Sequence, residues 1–220
     1  PLRMADARTK IGVIVCGYAF DHYMTTFDQH AGLDIAGVFD RNATRARQVG
    51  AFYDLLVYDS LEALLADDTI SIVANFTSIE SHVDISRAAL LAGKHVYSEK
   101  PMAMDLASAQ MLVDLAQAQN LCLSVAPSNA LSATALKLWK EVEDGAVGDV
   151  RMVYAEFDDN PVYLLKPETW RSRSGAPWPY LHEYEMGCTW EHVGYHLSWK
   201  CTIYGPERRE TSYSKATLPD

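Results

Sequence analysis

Between residues 10 and 125, short runs of apolar and β-branched residues alternate with longer segments of helical periodicity. That alternation constrains the fold more than any other feature. Strands spaced this way pair in parallel, because each crossover has room for a helix and the helices cover both faces of the sheet. The pattern predicts strands at 11–16, 35–39, 70–76, 95–97 and 121–125, with a weak one at 51–53. Helices are expected at 18–29, 43–49, 61–66, 81–92 and 106–118. The fold class is therefore α/β, a doubly wound parallel sheet. Asn42 and Ser60 stand where helix caps belong, and Gly93 stands where a helix needs a left-handed stop.

Past residue 127 the pattern changes. A helix is expected at 137–144, and the two glycines of "GAVGDV" turn the chain into a strand at 150–157. The passage "PETWRSRSGAPWPY" reads as a structured loop over a site, followed by a helix at 186–204 and a strand at 210–217. Two domains follow from this, residues 1–127 and 128–220. Two strands leave the second sheet with an open edge, so the second α/β domain is expected to be truncated, swapped with a partner or finished by another subunit.

Composition excludes several classes of function. The 220 residues are 49% hydrophobic and 22% charged, with a formal charge of -10. A pI near 5.1 argues against a nucleic-acid or anionic-membrane surface, which needs clustered Lys and Arg. Cys16, Cys122, Cys188 and Cys201 form no C-x-x-C pair, and the first two lie in apolar runs where buried, reduced thiols are usual. No apolar run approaches the ~18 residues of a membrane span, and "PLRMADARTK" is too polar for a signal peptide. A cytoplasmic protein is expected, and a start at Pro1 points to processing or trimming.

The stretch "VIVCGYAF", Val13 to Phe20, runs from a strand into a helix, where a dinucleotide fold keeps G-x-G-x-x-G. Val15 and Phe20 occupy the first and third glycine positions, and only Gly17 remains. Gly17 retains the role of letting a pyrophosphate approach the backbone. Tyr18 and Ala19 open a helix whose free N–H groups suit phosphate. Asp40, in "VFDRN", ends the second strand 23 residues after Gly17, where an acidic side chain meets the adenosine ribose. That placement favours NAD, while the neighbouring Arg41 keeps NADP open.

Glu99, Lys100 and Pro101 follow the strand at 95–97, and ligands of open α/β sheets bind beyond the carboxyl ends of strands. Their context, "AGKHVYSEKPMA", resembles the A-G-K-H-V-x-x-E-K-P-x-A segment of the Gfo/Idh/MocA family of NAD(P)-dependent oxidoreductases. "GAVGDVRMVYAEF" is similar to that family's entry into its second domain, and "EHVGYHLSWKCTIYGP" to its D-x-G-x-H helix. "NFTSIESH" is a loose version of its T-P-N-x-x-H stretch, with Thr77 and His82 matching. The resemblance implies a Rossmann-type domain, then an α/β domain whose open sheet forms homo-oligomers, and activity on sugars or polyols. It makes His196 the catalytic histidine, with His192 in place of the motif's aspartate.

Chemistry agrees with those assignments. Oxidising a secondary alcohol needs a base for the hydroxyl proton and a fixed geometry for hydride transfer. His196 suits the first task, Lys100 can hydrogen-bond the reacting oxygen with Glu99 holding it in place, and His192 shares the helical face of His196. A metal reading of His192 and His196 lacks the glutamate of H-E-x-x-H, since Val193 stands there. Trp170, Trp178, Tyr180 and Trp190 suit stacking on a sugar or ordinary packing. A dinucleotide-binding sensor or regulatory protein without turnover is the competing reading.

Overall fold

The computed structural model describes residues 8–156 and 162–205. They form two compact units: residues 8–126 together with Val162–Tyr180, and residues 127–156 together with residues 181–205. The first is built on five parallel strands in the order β2-β1-β3-β4-β5, namely β1 (Thr9–Ile14), β2 (Leu33–Phe39), β3 (Ile72–Asn75), β4 (His95–Ser98) and β5 (Leu123–Val125). Helices α1 (Tyr18–Tyr23), α2 (Ala43–Tyr53), α3 (Leu61–Leu65), α4 (His82–Leu91) and α5 (Leu106–Ala118) connect them. The direction of winding reverses at β1, so the segments that follow β1 and β3 flank the switch point where such sheets bind ligands.

Parallel strands are buried on both faces, and two apolar clusters do this here. Ile14, Val73 and Val96 point to one side with Leu64, Leu90 and Leu112, while Val13, Val38 and Ala74 point to the other with Val49 and Phe20. The strand register explains the split, since Val13 pairs with both Val38 and Ala74, and Val73 pairs with Val96. Each fully buried aliphatic side chain contributes roughly 1.5–3 kcal/mol. The caps fall as expected. The Asn42 side chain accepts from Thr44 N and Arg45 N, Ser60 accepts from Ala63 N, and Gly93 ends α4 at φ 76°.

Several boundaries differ from the sequence reading. The first strand stops at Ile14, because Val15 turns to φ 70° and leaves extended conformation. The helix expected at 18–29 ends at Tyr23, followed by a separate 3-10 turn, Phe27–Gln29. Residues 51–53 are the last turn of α2 rather than a weak strand. Tyr53 is held there by its edge contact with Phe20 at 5.7 Å, and the pairing with β2 is made instead by a single Val38–Val57 bridge. Gly37 permits it: a Cβ there would lie 2.7 Å from Leu56 O. Cys16 is buried, but Cys122 is exposed, since it precedes the short edge strand β5.

In the second unit α6 (Ala133–Glu143) starts four residues earlier than expected, because Ser132 caps it by accepting from Ala135 N. Residues 150–156 carry no strand, although one was expected at 150–157. The strand expected at 210–217 lies outside the described residues. Helix α7 (Tyr180–Tyr204) is interrupted at Gly187, at φ 72° and ψ 165°. Trp139 of α6 meets Trp199 of α7 edge-on at 6.2 Å. Among the described residues, no helix is long and apolar enough to cross a membrane.

Candidate dinucleotide site

The turn after β1 is short and tightly tied. Val15 adopts the left-handed backbone that the first glycine of the motif supplies, so the turn forms with a β-branched residue under strain. Its N–H still donates to Phe39 O at 2.7 Å. Cys16 N donates to Asp40 Oδ2 at 3.0 Å, and Asn42 N donates to Asp40 Oδ1 at 2.8 Å. Each carboxylate oxygen keeps a further lone pair, so Asp40 can hold the loop and still accept from ribose hydroxyls. A Cβ on Gly17 would meet only Val15 Cγ1, at 3.8 Å, so glycine is not needed there for packing. The open side faces a cleft of about 470 Å³, lined by Gly17, Asn42, Thr44, Arg45 and Gln48 with Gly175–Pro177 opposite. Room at Gly17 and a carboxylate at the end of β2 fit a dinucleotide. Helix α1, which starts at Tyr18 with Ala19 in its first turn, is only 6 residues long.

Burial raises the Cys16 thiol to about 12, with Asp40 adding to the effect. The cysteine is therefore a packed, neutral residue of the loop. Arg41 is exposed, whereas Arg45 lies against the loop, its Nε donating to Cys16 O at 2.7 Å.

The ends of β3 and β4 are joined by a polar core. Asn75 is fully buried, donates to His82 O and Ser86 Oγ at 3.0 Å, and accepts from Thr77 Oγ1 at 2.7 Å. His82 is 1% exposed, and its ring nitrogens lie 2.7 Å from Pro101 O and 3.0 Å from Thr77 O. It fastens the segment after β3 to the cis Lys100–Pro101 bend after β4. Glu99 accepts the backbone N–H of Lys100 at 3.0 Å and the hydroxyl of Tyr23 at 2.7 Å. Tyr23 stacks on Phe76 at 4.6 Å and lies 2.9 Å from the Tyr97 hydroxyl. Burial, then the Glu99 charge, pushes the Tyr23 hydroxyl well above its ordinary range, so it stays a donor.

Thus Gly17, Tyr18, Ala19, Asp40, Arg41, Thr77, His82, Glu99 and Lys100 all belong to the first unit, at the carboxyl ends of β1 to β4. His192 and His196 lie on α7, in the second. Sequence reasoning missed Tyr23, Tyr97 and Asn75, and it missed Asp21, Arg45, Ser172 and Ser174. Periodicity marks Tyr23 as a core residue of α1, but nothing local shows that its hydroxyl reaches Glu99.

A doubly wound sheet with a carboxylate tying its first loop to the second strand defines a nucleotide-binding protein of the Rossmann type. Residues 9–127 match the GFO_IDH_MocA model, described as "Oxidoreductase family, NAD-binding Rossmann fold", and the chain belongs to that family. It is 29% identical over 160 residues to an uncharacterized oxidoreductase of Schizosaccharomyces pombe, covering 72% of this chain and 42% of the relative. It is 39% identical over 92 residues to UDP-N-acetylglucosamine 3-dehydrogenase of Acidithiobacillus ferrooxidans, covering 41% of this chain and 28% of that enzyme. Among solved structures, the YPO2259 protein of Yersinia pestis aligns with a TM-score of 0.69 at 27% identity, over 92% of this chain and 54% of that one. The chain thus spans about half the length of these relatives, or less.

Proposed function

We propose that the protein binds NAD in preference to NADP and moves hydride between it and a sugar, polyol or related hydroxylated small molecule. The observation that carries this reading is the Asp40 carboxylate, held 3.0 Å from Cys16 N beside an open Gly17. A carboxylate there accepts ribose hydroxyls and repels a 2′-phosphate. Of the nearby cations, Arg45 is already spent on Cys16 O, Ser174 and Asp21, which leaves exposed Arg41 as the attraction for NADP. The relative from Acidithiobacillus, named as a sugar-nucleotide dehydrogenase, supports the substrate class.

When bound, nicotinamide supplies the hydride chemistry, and this chain's residues hold and polarise the substrate. Lys100 hydrogen-bonds the reacting oxygen, and Glu99 fixes the backbone of Lys100. Thr77 and His82 act from within, holding the cis Lys100–Pro101 bend in place. His196 takes the hydroxyl proton, with His192 on the same helix orienting substrate. The acidic pI near 5.1 and the free thiols of Cys16, Cys122 and Cys201 support a reducing, cytoplasmic setting.

Titration with NADH and NADPH by calorimetry tests the cofactor claim, and saturable binding that is tighter for NADH is the expected result. Turnover on a polyol and sugar panel tests the chemistry. Unchanged turnover in both Lys100→Met and His196→Ala overturns the assigned roles.

A further inference from the structure

Asp21, on α1, is 1% exposed, yet its carboxylate collects donors from two distant segments. From α2 come Tyr53 Oη at 2.8 Å and Arg45 Nη2 at 3.4 Å. From the Val162–Tyr180 segment come Ser174 N at 3.0 Å, Ser174 Oγ at 2.6 Å and the Ser172 hydroxyl. Burial pushes the carboxyl up, but the hydrogen bonds from Ser172, Ser174 and Tyr53 outweigh it and hold Asp21 below its ordinary value. Arg45 closes the circuit, donating to Cys16 O on the glycine loop and to Ser174 O, each at 2.7 Å.

Segment 170–178 is itself a built strap. Ser172 N donates to Ala176 O at 2.9 Å, Arg171 bridges Pro177, and Trp170 stacks on Trp178 at 4.8 Å. Fastened through Ser172 and Ser174, it presents Gly175, Ala176 and Pro177 to the cleft opposite Gly17, Asn42 and Thr44. The glycine loop and the strap are therefore held by one carboxylate and one guanidinium.

We propose that Asp21 is a positioning residue of the dinucleotide site, which holds the 172–177 strap as the outer wall of the cleft for the adenosine half of the cofactor. The inference rests on the dinucleotide reading above. Ligand pockets of roughly 300–1,000 Å³ bury most of their ligand, and this cleft, with Gly175, Ala176 and Pro177 of the strap among its lining, measures about 470 Å³. Unlatched, the same loop and Asp40 face open solvent and lose contact with the nucleotide's outer face.

The double variant Ser172→Ala/Ser174→Ala tests this in the full chain, because it removes both hydroxyls that tie the strap to Asp21 and leaves only the Ser174 backbone contacts, with Asp21 still paired with Arg45 and Tyr53. NADH affinity by calorimetry is expected to fall about tenfold, with the midpoint of thermal unfolding within a few degrees of the parent's. Trypsin cleavage after exposed Arg173 is expected to quicken about tenfold, and NADH should slow it in the parent only. Equal NADH affinity in parent and variant, alongside faster cleavage, overturns the proposal and makes the strap a cover with no part in binding. Failure of the parent to bind NADH at all overturns the dinucleotide reading and this inference with it. Should the double variant not fold, Ser174→Ala alone carries the test, with an expected threefold loss of affinity and the same contrary outcome.

Discussion

Cys16 and Asp40 are joined directly, the backbone N–H of one donating to Oδ2 of the other across 3.0 Å, although 24 positions separate them. The carboxylate that a ribose would use is thus the same group that sets the shape of the phosphate loop. Charge-assisted hydrogen bonds of this kind are worth about 1.5–3 kcal/mol. Asp40→Asn replaces one acceptor by a donor, so that either Cys16 N or Asn42 N loses its acceptor. We expect NADH affinity to drop about 10- to 100-fold by calorimetry, with NADPH affinity falling much less, because the repulsion of the 2′-phosphate disappears with the charge. Equal losses for both cofactors would assign Asp40 to loop structure alone.

Val15 makes the loop's missing glycine measurable. A β-branched residue at φ 70° stores about 1–3 kcal/mol of strain. Val15→Gly releases it, offsetting lost packing and about 0.5–1 kcal/mol of backbone entropy, so the denaturation midpoint should stay close to the parent's. The same deletion at Val13, 2% exposed in a regular strand, has no strain to release and should cost about 2–4 kcal/mol. Equal costs at the two positions would show that the Val15 backbone carries no strain.

Tyr23 is expected to act on Glu99 rather than on packing alone. Tyr23→Phe keeps the ring stacked on Phe76 but removes the hydroxyl that donates to Glu99 at 2.7 Å. In an assay of substrate turnover, kcat should fall about tenfold, with KM and the melting temperature little changed. A loss confined to stability would leave Glu99 positioned without Tyr23.

Thiol chemistry reads the loop directly. With Cys16 buried and its thiol raised to about 12, iodoacetamide at pH 8 should label exposed Cys122 and Cys201 and leave Cys16 until denaturant is added. Peptide mapping by mass spectrometry gives the order. Early labelling of Cys16 would mean that the loop opens readily in the free protein.

The latch has a defined pH dependence. Asp21 is held below its ordinary value of 3.8, so the stability it contributes is complete above that pH and is lost as the pH falls through the lower folded value. Urea unfolding of the parent and of Asp21→Asn from pH 7 to pH 2.5 should show a gap in stability that is constant at neutral pH and narrows below about pH 4. A gap independent of pH would mean that the charge of Asp21 contributes nothing.

The sheet was legible because its signal is local. Apolar runs at the right spacing have few foldings, and the placement of Asp40 follows from strand length alone. The conformation of Val15 was not legible: propensity assigns valine to strands, and only the closure of the β1–α1 turn forces it to φ 70°. Residues 150–156 misled for the opposite reason, since an apolar run carries strand character without naming a partner. The Asp21 circuit had no signal at all. A serine in "RSRS" looks like loop solubility until it meets a buried carboxylate 151 positions away.

That separation also sets a timetable. On a ribosome adding about 5–20 residues per second, Ser172 emerges roughly 8–30 s after Asp21. During that interval the five-stranded sheet can assemble, because its last strand ends at Val125. Asp21 is not left as a lone buried anion while it waits, since Arg45 and Tyr53 arrive within 32 residues of it. Chain order thus allows the sheet to be finished before the strap that walls the cleft is available to dock.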